Sequence, residues 1–177
     1  MVADISDIFD LLDRFDLAVA QDQPRNYHDF PAGAREPIPA AFPLLNSGVM
    51  AVRKTTAVTA FLHKWQAAML AESAQFDQPI LREMLFCDGP HFTVLPPEYN
   101  LMSLHLIPAM NADDPAPRII HSQELHCHIG SKKRRIGSLE DLLGREKFGR
   151  LALLRAADRI LNPGNNPAWF GQPAYAE

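Results

Sequence analysis

Four short stretches of this chain hold side chains able to do chemistry. Asn46, Ser47 and Gly48 stand together inside an apolar run, where an amide both donates and accepts and a glycine lets a ligand approach the backbone closely. The same triplet also reads as a bulge or turn entering a strand. Asp77, followed by Gln78 and Pro79, is a carboxylate that can hold a hydroxyl, take up a proton or stabilise a neighbouring positive charge. It also stands where a helix N-cap would stand, and the two roles are compatible. Tyr99 and Asn100, after Pro96-Pro97-Glu98, can line a cleft or complete a turn. His121 ends an apolar segment, as a hydrogen-bonded structural residue or as a ligand. His126 and His128 flank Cys127 and on a strand would face one side like a metal pair, but no third ligand is near, so they are left out of the site.

The elements that must position these residues follow from hydrophobic spacing. Ile5, Ile8, Phe9, Leu11 and Leu12 predict a short amphipathic helix over Ser6 to Arg14, with Asp4 as its N-cap. Asp16 to Ala20 is short and apolar, as a buried strand of an α/β sheet would be. Residues 21 to 43 hold Pro24, Pro31, Gly33, Pro37, Pro39 and Pro43 without a period and read as loop, and a loop of this length is usually functional. Leu44 to Val52 predicts a second strand, interrupted by the polar triplet. A helix starts at Thr55 or Thr56 and runs to about Glu72, with Val58, Phe61, Leu62, Trp65 and Met69 on its apolar face. Asp77 begins another, with Ile80, Leu81, Met84 and Leu85 inward, ending near Asp88-Gly89. Phe92 to Leu95 and Arg118 to His121 are strand-like, and Arg145 to Leu161 is the last helix. This order fits an α/β or mixed α/β sheet better than a bundle or sandwich.

Composition narrows the classes of function. The chain has 177 residues, 47% hydrophobic and 21% charged, which suits a soluble globular domain with a sizeable core. A net charge of -4 offers no general attraction to nucleic acid, and the basic run Lys132 to Arg135 lies between two glycines as a solvated turn. No stretch reaches the roughly 20 apolar residues needed to span a bilayer, and the acidic N-terminus is unlike a secretory signal. Cys87 and Cys127 form no CxxC pair, so reduced thiols and a cytoplasmic location are expected.

Ala3 to Ala20 (ADISDIFDLLDRFDLAVA), Phe42 to Lys54 (FPLLNSGVMAVRK) and Phe76 to Phe86 (FDQPILREMLF), read together, resemble successive blocks of the nucleotide-diphospho-sugar transferases. These are the GT-A superfamily that includes the glycogenin-like family 8 enzymes. In the family an Asn-small-Gly-Val strand corresponds to Asn46, Ser47, Gly48 and Val49, and an Asp-Gln pair to Asp77 and Gln78. A strand leading to proline and a Tyr-Asn pair is similar to Val94 to Asn100, and an Ile-Ile-His segment to Ile119, Ile120 and His121. The resemblance covers about residues 2 to 121.

It implies transfer of a sugar from a nucleotide sugar to a carbohydrate or other hydroxyl acceptor, with a divalent metal, Mn2+ or Mg2+. It also implies that Asn46, Ser47, Gly48, Gln78, Tyr99 and Asn100 contact substrate, Asp77 takes a catalytic part, and His121 meets the metal or diphosphate. The family carries an Asp-any-Asp metal motif a residue or two ahead of the position of Met1, and nucleotide-binding strands before that. The expectation is therefore the C-terminal part of a GT-A domain over residues 1–162, followed by a loose tail over 163–177. Such a piece would bind nucleotide sugars poorly and be inactive alone, as a non-catalytic remnant or a half domain completed by another chain. Its sheet would expose an apolar edge or face near Asp16 to Ala20 and Leu44 to Val52, and the chain would self-associate or be only marginally stable.

Overall fold

The computed structural model describes residues 2–22, 38–72, 76–125 and 136–161. Most of the proline-rich loop, the Lys132 to Arg135 run, His126, Cys127, His128 and the tail from Pro163 lie outside the described residues. The fold is α/β with a mixed sheet, and the chain divides into two compact units, Ser6–Pro97 and Met1–Ile5 with Glu98–Glu177.

In the Ser6–Pro97 unit, β1 (Leu17–Gln21) is the middle strand of three, antiparallel to β2 (Leu45–Val52) and parallel to β3 (Phe92–Leu95). Leu17, Ala18, Val19 and Ala20 are each 0% exposed, the mark of a strand buried on both faces, which is why its sequence is apolar without alternation. The expected exposed edge or face is thus corrected at Asp16 to Ala20, which is central and buried, whereas at Leu44 to Val52 the strand β2 does stand at an edge of the sheet. Leu17 and Val19 share one face by strand alternation and meet Leu45, Phe61, Leu81 and Leu85 there. Burying each such side chain contributes about 1.5–3 kcal/mol, enough to hold the two following helices against the sheet.

Those helices are α2 (Thr56–Ala71) and α3 (Gln78–Asp88). Thr55 caps α2, its hydroxyl accepting from the Val58 amide at 3.1 Å. Val58 and Phe61 are the buried part of its apolar face. Asp77 holds the N-cap position of α3, but its carboxylate makes no capping hydrogen bond. Two causes are visible. The second helical residue is Pro79, which leaves only the Ile80 amide to cap, and Asp77 itself has φ −87° and ψ −27° instead of the extended backbone of a capping residue.

Helix α1 is only Asp7–Leu11, shorter than the periodicity predicts. The amides of Leu12, Asp13 and Arg14 reach back three residues, to Phe9, Asp10 and Leu11, and this tighter winding ends the α-helix. The Arg53 guanidinium donates to the Leu12 carbonyl. Asp4 is not the cap of α1: Ser6 precedes the helix, Asp4 is buried, and it belongs to the other unit. Phe9 faces solvent, leaving Ile8 as the buried residue of the helix.

The other unit has its own core, in which Leu101, Leu104, Ile107 and Ile120 meet Leu143, Leu151 and Leu154. The last three come from α4 (Leu139–Leu161), which breaks at Gly144, where φ 73° and ψ 160° are open to glycine alone. The segment Arg118 to His121 forms an isolated parallel bridge, Leu101 to Ile120, in place of a full strand. Among the described residues no helix is long and apolar enough to cross a membrane.

Candidate functional site

The two edges of the sheet are fixed by backbone hydrogen bonds. At one, the Asp16 amide donates to the His91 carbonyl (2.7 Å) and Arg53 to Asp16 (2.8 Å). At the other, where β1 and β3 end and β2 begins, Asp22 donates to Leu44 (2.8 Å). Ligands of open α/β sheets bind outside the carboxyl ends of parallel strands, which makes this second edge the place to look.

Asn46 lies there. Ala20 pairs with Asn46 and Val19 with Met50, so Ser47, Gly48 and Val49 are extra residues on β2. The local structure is therefore the bulge that the triplet allows, a feature that re-aims side chains and recurs beside active sites. Asn46 is 0% exposed. Its Nδ2 donates to Asp22 Oδ1 at 3.1 Å, and its Oδ1 accepts from the Gly48 amide at 2.9 Å. Asn46 thus braces the bulge and orients a carboxylate, while Ser47 is half-buried and Gly48 exposed.

Asp77 and Gln78 stand at this same edge. Arg82, in the second turn of α3, donates to the carbonyls of Pro43 (3.0 Å), Phe42 (2.7 Å) and Pro39 (3.3 Å), all just ahead of β2, so α3 starts beside the start of β2. Asp77 is located by its own carbonyl, which accepts from the Leu81 amide at 3.0 Å and the Trp65 indole at 3.4 Å. With the helix uncapped by it, the half-buried carboxylate is not committed to holding α3.

Tyr99, Asn100 and His121 come together in the other unit. The amides of Arg118 and Ile119 donate to the Glu98 carbonyl (2.7 and 3.2 Å), Leu101 donates to Ile119 (2.9 Å) and His121 to Leu101 (2.9 Å). This ladder puts His121 Nδ1 3.2 Å from Asn100 Oδ1. Behind it the Arg118 guanidinium, 3% exposed, lies 5.5 Å from the centre of the Tyr99 ring and donates to the Asp4 carbonyl at 2.8 Å.

Sequence reading passes over Asp22 and Arg118. The available signals are a carboxylate directly after a buried strand and an arginine set in an apolar run. Among the described residues no group of three His, Cys, Asp or Glu side chains comes together to hold a metal ion. The ligands that Mn2+ or Mg2+ would need do not assemble from them. A cavity of about 540 Å³ between α2 and α3, lined by Phe61, Lys64, Met84 and Cys87 among others, includes none of the candidate residues.

The chain is thus a mixed α/β protein with a buried amide and an oriented carboxylate at the end of the sheet where β2 begins. The family model described as nucleotide-diphospho-sugar transferase matches residues 4–139, and the chain belongs to that family. No curated protein and no solved structure matches significantly.

Proposed function

We propose that this chain takes part in glycosyl transfer from a nucleotide diphosphate sugar to an acceptor hydroxyl, with the GT-A arrangement of the glycogenin-like enzymes. Family membership supports the reaction class. The observation that carries the residue assignment is the Asn46–Asp22 hydrogen bond at the edge where α3 also begins. A carboxylate aimed by a buried amide is suited to sugar hydroxyls, because it accepts several donors in a fixed geometry.

In the reaction the bond from the anomeric carbon to the diphosphate oxygen breaks and a bond to the acceptor oxygen forms. The leaving diphosphate gains negative charge, the sugar passes through an oxocarbenium-like state, and the acceptor loses its proton. Asp22, Ser47 and Gly48 bind the donor sugar, with Asn46 holding them in place, and Gln78 adds contacts. Asp77 either accepts the proton of the attacking hydroxyl or stabilises the positive charge on the sugar. Within the other unit, Tyr99 and Asn100 are assigned to substrate contact and His121 to the cation of the diphosphate. Mn2+ or Mg2+ would be the cation to neutralise the diphosphate, and His121 is the residue here that would meet it.

The test is release of nucleoside diphosphate, with and without acceptor, across UDP- and GDP-linked hexoses and pentoses. Acceptor-dependent release that falls about tenfold to a thousandfold in Asp77→Asn, on the scale of roughly 1.4–4 kcal/mol, supports the reading. Release indifferent to Asp77→Asn in a folded protein rejects the role of that residue. A second reading, a sugar-binding half domain completed by another chain, is favoured by the failure of three metal-type ligands to meet among the described residues. It predicts donor-sugar binding without release.

A further inference from the structure

We infer that Asn100 is a positioning residue that fixes the imidazole proton of His121 on Nδ1, which leaves Nε2 unprotonated. Asn100 Oδ1 lies 3.2 Å from His121 Nδ1. A carbonyl oxygen can only accept, so Nδ1 must be the donor, and in a neutral imidazole the other nitrogen is then unprotonated. Two further features make this contact durable. Asn100 is 1% exposed, so bulk water does not replace it as the partner of the ring. The backbones of both residues are locked by the Leu101-to-Ile119 and His121-to-Leu101 hydrogen bonds, each 2.9 Å, with Tyr99 buried beside them against Arg118.

The tautomer decides what His121 can touch. A protonated Nε2 would donate to a diphosphate oxygen. An unprotonated Nε2 can instead meet only an electron-pair acceptor, such as the proton of a hydroxyl or a cation, and would repel a bare phosphate oxygen. Extending the tautomer to a substrate contact rests on the transfer reading above; the tautomer itself does not. Free histidine side chains in water favour the opposite form, with the proton on Nε2, so the inferred state stands out from the default.

The experiment is long-range 1H–15N correlation of the ring nitrogens in the 15N-histidine-labelled chain at alkaline pH, where imidazoles are neutral, with His121 assigned by His121→Gln. The expected result is Nδ1 in the protonated and Nε2 in the unprotonated region of the spectrum. Asn100→Leu should lose that pattern and give the Nε2-protonated or averaged form, and Asn100→Asp, which keeps an accepting oxygen, should restore it. If Asn100→Leu does not fold, wild type and Asn100→Asp still decide. A wild-type ring protonated on Nε2, as an amide turned with Nδ2 toward the ring would give, overturns the inference, as does a folded Asn100→Leu with an unchanged tautomer or an Asn100→Asp that loses it. Mn2+ alone and a free monosaccharide alone are then added separately. Selective broadening of the His121 ring by Mn2+ identifies a cation as its partner, and a His121 shift with the sugar identifies a hydroxyl. A ring that responds only to inorganic pyrophosphate, by gaining a proton on Nε2, overturns the lone-pair assignment. A confirmed tautomer in a chain without transfer activity would reject the proposed reaction and leave the role of Asn100 standing.

Discussion

Replacing Asn46 with alanine removes two hydrogen bonds from a fully buried position. The bond to the Asp22 carboxylate is charge-assisted, and losing such a bond costs about 1.5–3 kcal/mol. The bond from the Gly48 amide is the smaller loss, about 0.5–1.5 kcal/mol, because Gly48 is exposed and water can take over. The expected sum is about 2–4.5 kcal/mol of unfolding free energy, a large share of the roughly 5–15 kcal/mol that keeps a domain folded. Urea unfolding followed by circular dichroism measures it, read at equal slope for variant and wild type. A cycle with Asp22→Ala separates the pair from the bulge and should return a coupling of about 1 kcal/mol or more. Asn46→Asp sharpens the test, since it keeps the acceptor for Gly48 but sets a second carboxylate against Asp22. Mutually repelling carboxylates hold protons more tightly folded than unfolded, so the Asp variant should be the weaker of the two at neutral pH and regain stability as pH falls. An Asn46→Ala within about 0.5 kcal/mol of wild type, or a coupling of zero, would refute the assignment of Asn46 as the brace of this edge.

Asp77→Ala should change unfolding free energy by less than about 0.5 kcal/mol, because its carboxylate caps nothing, whereas Thr55→Ala should cost about 1 kcal/mol by removing the hydroxyl that caps α2; denaturant titration of the pair checks both. Gly144→Ala should destabilise by about 1–3 kcal/mol, since φ 73° with ψ 160° strains any side chain, and the loss should appear in thermal unfolding. Gly89→Ala should cost a similar amount, about 1–3 kcal/mol, by forcing a methyl to within 2.7 Å of Leu85 Cα at the end of α3; unchanged melting would contradict the close approach.

Hydrophobic period made most of the elements readable. β1 reads as an unbroken apolar run because both its faces are buried, and Thr55 marks the start of α2 by the same hydroxyl that caps it. Where the structure departs, tertiary contacts override local preference. The sequence around Asp77 looks like a cap, yet Pro79 removes one of the two amides a cap can bind and the Asp77 backbone is helical instead of extended. Asp4 looks like the start of α1 but is drawn into the other unit, where its carbonyl accepts from buried Arg118. The apolar run at Arg118 to His121 suggests a strand, but a single bridge to Leu101 is all the pairing it makes. For the site, family resemblance singled out Asn46 without Asp22, and named both Asn100 and His121 without their contact. Asp22 and Asn100 acquire their roles only through contacts 24 and 21 residues away along the chain, a separation no local pattern encodes.

The central claim is that the edge formed by Asp22, the Asn46 bulge and the start of α3 holds the donor sugar. Amide chemical-shift mapping of the 15N-labelled chain tests it most directly, with a nucleotide diphosphate sugar compared against the same nucleoside diphosphate without the sugar. The account predicts sugar-dependent shifts at Asp22, Gly48 and Gln78, present with the sugar nucleotide and absent with the nucleoside diphosphate alone. Shifts identical for the two ligands, or confined to the α2–α3 cavity around Met84 and Cys87, would contradict it.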